Sequence, residues 1–566
     1  MRVARRCVVY VAGPAMVRPR TIEMFMTQRM PTIKQKSAQL DKTLRCPCST
    51  VDLRLSLNNL NTPRRARIAC EATPARHPTM RRLTRLAAFL GLLPLAALAE
   101  QVANFNISQQ AALAHDCGAT CQARLNLTIP ADQAAVGLDF DVDFYATAAN
   151  FSAASSRPGD VLKLQPVDPS ALRLDGGATT YRFQYVSVDA DGSAVPVTAF
   201  VAFPFTPHIP AEGDGEAPAK YRLAAFAHGT IGIFRGCAPS NSDVLYDYGT
   251  WQPVLQRGYA VVATDYAGLG NNATSHKYLY LPAHASDVYY SVVAARKLFG
   301  GRLTDEWVSF GHSQGGGAAW KLAESSYVRN DTAYLGTVAV APATYAADQI
   351  YEAASDSSGG SNSSSGAKGA GVGFLPLIPT AVKRIIPSYN ETILAPALKK
   401  RVAMVEDAQL CLEGVLGLTL DLDLAQIVSL PGALHDRPTL LRWQNMSAPA
   451  QGDASPAPIL VVQGQRDTAV RWQTTVDAWE RACGAGNEVH LRLFPTQGHR
   501  PSLSAGSPEW LAWMDGLFEK KKTLGGKAAC RKKCTKYTRE PFDAQYVRAP
   551  TDVDLKPYLG PLANAM

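Results

Sequence analysis

The sequence predicts an α/β fold: a mixed, mostly parallel sheet with helices on both faces and an inserted helical cap. Three observations carry this. Short apolar runs alternate with amphipathic segments from Tyr221 to about Tyr345, and again after Pro458. The runs are almost continuously apolar, as strands buried on both faces must be. Between the two alternating blocks, residues 346–455 follow a different, helix-like pattern.

The elements follow in order. Residues 181–188 and 195–203 alternate apolar with polar or small side chains around Asp189-Ala190-Asp191-Gly192, which predicts a strand–turn–strand and makes the sheet mixed. The run 221–227 is a strand ending in His228-Gly229-Thr230. A helix is predicted over 250–258, then a strand from Tyr259. Ser286-Asp287 reads as the cap of a helix over 286–300. Strand 306–311, a turn at Ser313, a helix from Gly315 and a strand from Tyr334 complete the first block.

After Tyr345 the alternation stops. Residues 354–373 are Gly/Ser-rich and predict a mobile loop, and the apolar run from Phe374 is broken by prolines. The pattern resumes with strand 458–464, helix 473–484, strand 488–495 and helix 507–522. An insertion into an open sheet most simply covers the carboxyl ends of its strands, where such sheets place ligands. A peripheral surface insertion is the plainer alternative. The predicted organisation is 1–79 as disordered upstream sequence or presequence, 80–99 as a signal peptide, and 100–160 as an N-terminal extension. The core follows as 161–345 and 456–518 around the cap at 346–455, with a basic, Cys-containing tail at 519–566.

The chain has 566 residues, enough for one large domain with insertions or for two domains. Hydrophobic residues make up 46% and charged residues 19%, a balance that excludes a disordered chain. The formal charge of +9 is unevenly placed: residues 1–99 carry 18 Lys+Arg against 4 Asp+Glu, and 519–566 carry 11 against 5, leaving an acidic body. The basic ends lack interleaved aromatics, so no nucleic-acid partner is predicted.

Met80 opens a second N-terminus. MRRLTR is a positive stretch, 86–99 is an apolar run of 14 residues, and Ala97-Leu98-Ala99 precedes Glu100 as a cleavage signal. The run is short for a membrane span, and a buried core helix is its alternative reading. All eight Asn-x-Ser/Thr sequons follow Ala99, at Asn106, Asn126, Asn150, Asn272, Asn330, Asn362, Asn390 and Asn445. A secreted, extracellular glycoprotein is expected. Residues 1–79 then read as upstream sequence with Met80 the true start, against an Arg-rich transit peptide as the rival. Seven cysteines follow Glu100, and in an oxidising compartment most should pair. The two Cys-x-x-x-Cys pairs have no His or Cys partner at zinc-finger spacing, so no metal is predicted.

The chemistry is concentrated at Gly311-His312-Ser313-Gln314-Gly315. A strand enters this Gly-x-Ser-x-Gly and a helix leaves it, the context of a nucleophile elbow. Gly311 and Gly315 remove β-carbons where the turn crowds its neighbours, and Ser313 is left at the strand tip. A serine hydroxyl needs a base. His499 follows the last predicted strand; His490 shares a polar strand face with Arg492, and His312 sits within the elbow. The base needs a carboxylate to fix its tautomer, and Asp467 lies just past strand 458–464. Asp265 is the rival acid, though its position suits it to anchoring a loop. The order Ser313, Asp467, His499 is that of α/β-hydrolases. An oxyanion hole is expected from the backbone N–H groups of Gln314 and Thr230, with Gly229 allowing close approach of the backbone. His228 reads as a brace of that loop.

The chain resembles the secretory lipase family, the fungal-type extracellular lipases of the α/β-hydrolase superfamily. The resemblance rests on DFYATAANFSAASSRPGDVLKLQ, AHGTIGIFRGCAPS, RGYAVVATDYAGLG, VSFGHSQGGGAAW, VVQGQRDTAV and FPTQGH, and spans roughly 140–515. It implies the triad Ser313, Asp467 and His499, hydrolysis of carboxylic esters or triglycerides, and a lid built from the insertion. It also implies that Cys237 is tied to the cap, with Cys411 its natural partner. The Ser/Gly-rich loop, the basic tail and the Cys pair at 117–121 depart from the family pattern. The expected partners are an ester or lipid substrate and a transient lipid interface; no cofactor and no stable protein partner are expected. A short-chain esterase or peptidase on the same triad is the alternative, and a catalytically silent binding module the third.

Overall fold

The computed structural model describes residues 8–10, 20–21, 52–54, 65–69, 100–209, 220–246, 249–358, 371–524 and 533–548. The chain forms two compact units, Met1–Pro94 and Leu95–Met566. In the first, strands Val8–Tyr10, Arg20–Thr21, Asp52–Arg54 and Arg65–Ala69 make a small antiparallel sheet. Runs such as Val8-Val9-Tyr10 are short but rich in strand formers. The expected signal peptide at 80–99 lies outside the described residues.

The second unit is built on ten strands: β1 Val161–Pro166, β2 Thr179–Val188, β3 Ala194–Phe203, β4 Tyr221–Ala227, β5 Tyr259–Thr264, β6 Leu303–His312, β7 Tyr334–Val340, β8 Ile459–Gly464, β9 Val489–Phe494 and β10 Thr535–Thr538. Their spatial order is β10-β9-β8-β7-β6-β4-β5-β3-β2-β1. β1, β2 and β3 run antiparallel to their neighbours and the rest are parallel. This is the mixed, mostly parallel sheet that the sequence predicts.

Alternation along each central strand feeds two cores. In β4, Leu223, Ala225 and Ala227 join the cluster under helices Leu281–Phe299, Gln314–Ala323 and Trp472–Gly484. Ala224 and Phe226 join the opposite cluster, under helices Gln252–Gln256 and Pro501–Leu524. β8 divides the same way, with Ile459 and Val461 on one side and Leu460 and Val462 on the other. Residues i and i+2 share a face, so strands apolar throughout supply both layers.

Two helix starts differ from expectation. Ser286 and Asp287 do not cap their helix, which begins at Leu281 with a proline in its first turn. Pro282 fits there because a first-turn N–H has no partner to lose. Ser286 instead donates to the carbonyls of Val188 and Ala283 at 2.7 Å, and Asp287 accepts from Ser187 Oγ at 2.5 Å and from the N–H of Ala267 at 2.9 Å. The last large helix likewise begins at Pro501, not at Ser507.

The segment after β7 is helical, with Ala346–Ser358, Ile378–Lys383, Pro396–Asp407, Leu412–Gly417, Leu424–Ile427 and Leu430–Ser447. The expected Gly/Ser-rich loop at 354–373 is shorter than predicted: the first of these helices continues to Ser358, and residues 359–370 lie outside the described set. The cap has its own apolar core, including Leu377, Leu398, Val415 and Leu440. Helix Ala119–Val136 of the N-terminal extension contributes Cys121, Leu125 and Ile129 to that core. The extension and the insertion therefore fold together. A tail boundary at 519 cuts the final helix, which runs to Leu524. Downstream, β10 adds parallel to β9 at the sheet edge, and Cys534 is joined to Cys483. Cys530 lies outside the described residues. Cys117 pairs with Cys121, and Cys237 with Cys411. Among the described residues no helix is long and apolar enough to cross a membrane.

Candidate functional site

Ser313 ends β6 and opens helix Gln314–Ala323. Its backbone lies at φ 61°, ψ −123°, in a region that a side chain rarely adopts. Such a residue costs on the order of 1–3 kcal/mol and persists only where its surroundings fix it. Here the Ser313 N–H donates to Val340 O at 3.0 Å, and its carbonyl accepts from the N–H groups of Gly317 at 3.0 Å and Ala343 at 2.9 Å. A β-carbon on Gly311 would meet the carbonyl of Gly315, and one on Gly315 the carbonyls of Ala227 and His228. Both glycines let helix and strand cross at a distance no other residue permits.

Asp467 and His499 follow β8 and β9, the parallel neighbours that run from β7 toward the sheet edge. The Nδ1 of His499 donates to Asp467 Oδ2 at 2.8 Å, and the Asp467 carboxylate is fully enclosed. A carboxylate only accepts, so Nδ1 carries the proton and Nε2 is left as the acceptor in the neutral ring. Three further donors hold the carboxylate: the N–H groups of Ala469 at 2.8 Å and Val470 at 2.7 Å on Oδ1, and Gln463 Nε2 at 2.9 Å on Oδ2. Thr475 Oγ1 donates to Gln463 Oε1 at 3.0 Å and so orients that amide.

His312 is the link between elbow and imidazole. Its Nε2 donates to the carbonyl of His499 at 3.2 Å, and the two ring centroids are 4.5 Å apart. Burial, then the neighbouring His499 and Arg500, hold its pKa well below the usual histidine value, so it stays neutral. The sequence flags His312 only as sterically unable to reach Ser313; its contact with His499 carries no local signal.

The loop after β4 closes the other side. A β-carbon on Gly229 would lie 3.5 Å from Ser313 Cβ and 3.3 Å from His312 O, so this loop rests directly on the elbow. Thr230 Oγ1 hydrogen-bonds the Tyr278 hydroxyl at 3.1 Å. Gln314 opens its helix, so its N–H has no partner within that helix. Its side chain donates to His276 Nε2 at 3.4 Å, since His276 Nδ1 donates to Ala267 O. The His228 ring nitrogens face the carbonyls of Gly229 at 2.7 Å and Asp265 at 3.1 Å; burial pushes its pKa down to about 4, so the neutral ring donates to one of the two. It is placed as a brace.

The other candidates lie apart. Asp265 accepts from Thr198 Oγ1, the Ser240 N–H and Ser240 Oγ, anchoring the loop that contains Cys237; burial raises its pKa to about 6. His490 bonds Thr535 Oγ1 at 2.9 Å and Glu488 at 3.2 Å on the β9–β10 pair. Among the described residues, no three His, Cys, Asp or Glu side chains gather as a metal site.

The cap reaches the same place. The Leu412 N–H donates to Ile231 O at 3.0 Å, Gly232 and Cys411 form an antiparallel bridge, and the disulfide Cys237–Cys411 lies beside them, fully buried. A β-carbon on Gly232 would fall 2.6 Å from Cys237 Sγ, so only glycine fits at this crossing.

Solved structures share this architecture. Two X-ray structures of Candida antarctica lipase A, one of them in its closed state, align over 75% of this chain and over 93% and 94% of their own. Identity is 16% and 17%, with TM-scores of 0.52 and 0.53. No protein-family model and no curated protein sequence matches the chain. Likeness at this identity establishes the fold, which is the α/β-hydrolase fold.

Proposed function

We propose that this protein is a secreted serine hydrolase that cleaves carboxylic esters, acylglycerols above all, with Ser313 as nucleophile, His499 as base and Asp467 as its orienting acid. The observation that carries the proposal is the buried Asp467–His499 Nδ1 hydrogen bond, with the His499 ring packed on His312, the chain neighbour of a serine held at positive φ. As Ser313 Oγ bonds to the ester carbon, His499 Nε2 takes its proton and the carbonyl π pair moves onto oxygen. The N–H groups of Gln314 and Thr230 receive that oxyanion. His499 then gives its proton to the departing alcohol as the carbon–oxygen bond breaks, and water repeats the cycle on the acyl-enzyme.

The lipase name of the structural neighbours supports ester hydrolysis. The three disulfides among the described residues favour an oxidising compartment. The sequon asparagines Asn106, Asn126, Asn150, Asn272, Asn330, Asn390 and Asn445 are all exposed, open to glycosylation. Ser313→Ala tests the proposal. It should lower kcat on p-nitrophenyl esters by about 10⁴-fold or more and abolish fluorophosphonate labelling; a loss below tenfold rejects Ser313 as nucleophile. A panel of ester chain lengths, with aminoacyl amides beside it, separates lipase from short-chain esterase and peptidase.

A further inference from the structure

We infer that the Tyr246 phenol is a third donor to the oxyanion, beside the two backbone N–H groups; the inference rests on the nucleophilic role of Ser313. Gly229 is the meeting point. The position of a β-carbon on Gly229 lies 2.5 Å from Tyr246 Oη and 3.5 Å from Ser313 Cβ. The phenol oxygen is therefore no more than their sum, 6.0 Å, from Ser313 Cβ. A carbonyl under attack by Ser313 places its oxygen within hydrogen-bond reach of groups at that distance. Gly229 thus has a role beyond close approach of the backbone: any side chain there would displace the phenol.

The backbone that presents Tyr246 is strained in the way functional positions are. Leu245 has φ 49° and Tyr246 φ 83°, two consecutive non-glycine residues in the left-handed half of conformational space. The turn is held by what surrounds it. The Trp251 indole donates to Leu245 O at 3.0 Å, the Leu245 N–H donates to Ser242 O at 3.1 Å, and both Leu245 and Trp251 are fully buried. The Tyr246 ring then packs against His228 at 5.4 Å and Phe226 at 5.9 Å, while the residue keeps partial access to solvent. A ring so fixed is in place before the attack, and a pre-placed donor is what makes an oxyanion hole effective. A phenol proton is also more acidic than that of an aliphatic hydroxyl, so it donates more strongly to a developing negative charge.

No proton is transferred to or from Tyr246. The phenol hydrogen bond shortens as the carbonyl oxygen gains charge and relaxes as the π bond re-forms. Because the interaction strengthens only in the transition state, its loss should appear in kcat and not in KM.

The test is Tyr246→Phe in the full chain, assayed beside wild type and Ser313→Ala. On a p-nitrophenyl ester, kcat and kcat/KM should fall together by about 10²-fold with KM within threefold. Affinity for a trifluoromethyl ketone, whose serine adduct carries the oxyanion, should fall by a like factor. A merely structural role would move the melting temperature and leave the ratio between adduct and substrate affinities unchanged. A kcat within threefold of wild type overturns the inference, as does a kcat loss with unchanged ketone affinity. If Ser313→Ala retains activity, the nucleophile assignment falls first and this one with it. If Ser313→Ala is inactive and Tyr246→Phe fully active, the phenol assignment alone is wrong. The wild-type ketone adduct gives a readout independent of any variant's folding: a crystal structure with Tyr246 Oη beyond about 3.5 Å from the adduct oxygen refutes the proposal.

Discussion

Asp467→Asn is the substitution whose outcome the structure determines most closely. Each oxygen of this carboxylate accepts two hydrogen bonds: Ala469 and Val470 N–H on Oδ1, Gln463 Nε2 and His499 Nδ1 on Oδ2. An amide supplies one oxygen and one NH₂, so it must choose a side. With nitrogen toward the two backbone N–H groups, two buried donors that cannot turn away lose their acceptor, at roughly 1–3 kcal/mol each. With nitrogen toward His499, the imidazole shifts its proton to Nε2 and accepts at Nδ1, and only Gln463 is left facing a donor. The second arrangement costs less, about 2 kcal/mol, which is roughly 4 °C of melting temperature. It also places a proton on the nitrogen that, in the proposed mechanism, accepts one from Ser313. The expected result is a fall in kcat of about 10⁴-fold, or ~5.5 kcal/mol, with the fold retained. Steady-state kinetics on p-nitrophenyl butyrate and a thermal melt at one pH measure both quantities. A variant that keeps more than a tenth of wild-type kcat would refute the tautomer argument, whatever its melting temperature.

Two further outcomes follow from buried groups. His284 stacks on Tyr266 and His276, and burial pushes its pKa down to about 3, so the unfolded chain takes up its proton first as the pH falls below the usual histidine value of 6.5. The stability that it contributes is present above 6.5 and is lost as the pH falls toward 3. His284→Phe should make acid unfolding less steep by about one proton, read from melting temperatures between pH 4 and 7; unchanged steepness rejects the assignment. Cys237 and Cys411 are 174 residues apart, and loop-closure entropy sets an upper limit of about 5 kcal/mol on what their bond adds. The double change to serine should lower the melting temperature by up to roughly 10 °C and reduce kcat more than KM, because the loop bearing Thr230 loses its clamp. A large thermal loss with kcat intact would show that the bond serves stability alone.

What the sequence discloses, and what it hides, follows the range of the interactions. The central strands are legible because burial on both faces demands continuous apolar runs; the structure places Tyr221–Ala227 and Ile459–Gly464 where those runs lie. The turn at Ser313 is legible because its crowding demands Gly311 and Gly315 locally. The start at Leu281 is not, because Ser286 and Asp287 carry the residue types of a cap and spend them on Val188, Ser187 and Ala267, all distant or across a loop. Helix Ala119–Val136 carries Pro130 in its interior and little amphipathic pattern, so nothing local announces that it packs under the cap. β10 is four residues long and mostly exposed, held by pairing with β9 and by Cys483–Cys534, neither of which spacing alone specifies. Gln463, His312 and Tyr246 make their contacts across the fold, and Leu245-Tyr246 takes a left-handed turn without the glycine or asparagine that would mark one.

The cap's attachment constrains how it can move. The stretch 411–414 is tied to the core loop by the disulfide to Cys237, by the Leu412–Ile231 hydrogen bond and by the Gly232–Cys411 bridge. It is tied to the N-terminal extension by Asn104 Oδ1, which accepts the Cys411 N–H at 2.8 Å, and by Asp132, which accepts the N–H groups of Glu413 at 2.9 Å and Gly414 at 2.7 Å. Lifting the whole cap as one body would break these bonds and pull on Ile231, the residue after Thr230. Opening that way would displace the loop whose Thr230 N–H we propose as an oxyanion donor. Any opening compatible with catalysis therefore hinges beyond Gly414 and leaves 411–414 in place. The stretch 411–414 then belongs, mechanically, to the core that carries Ile231 and Cys237.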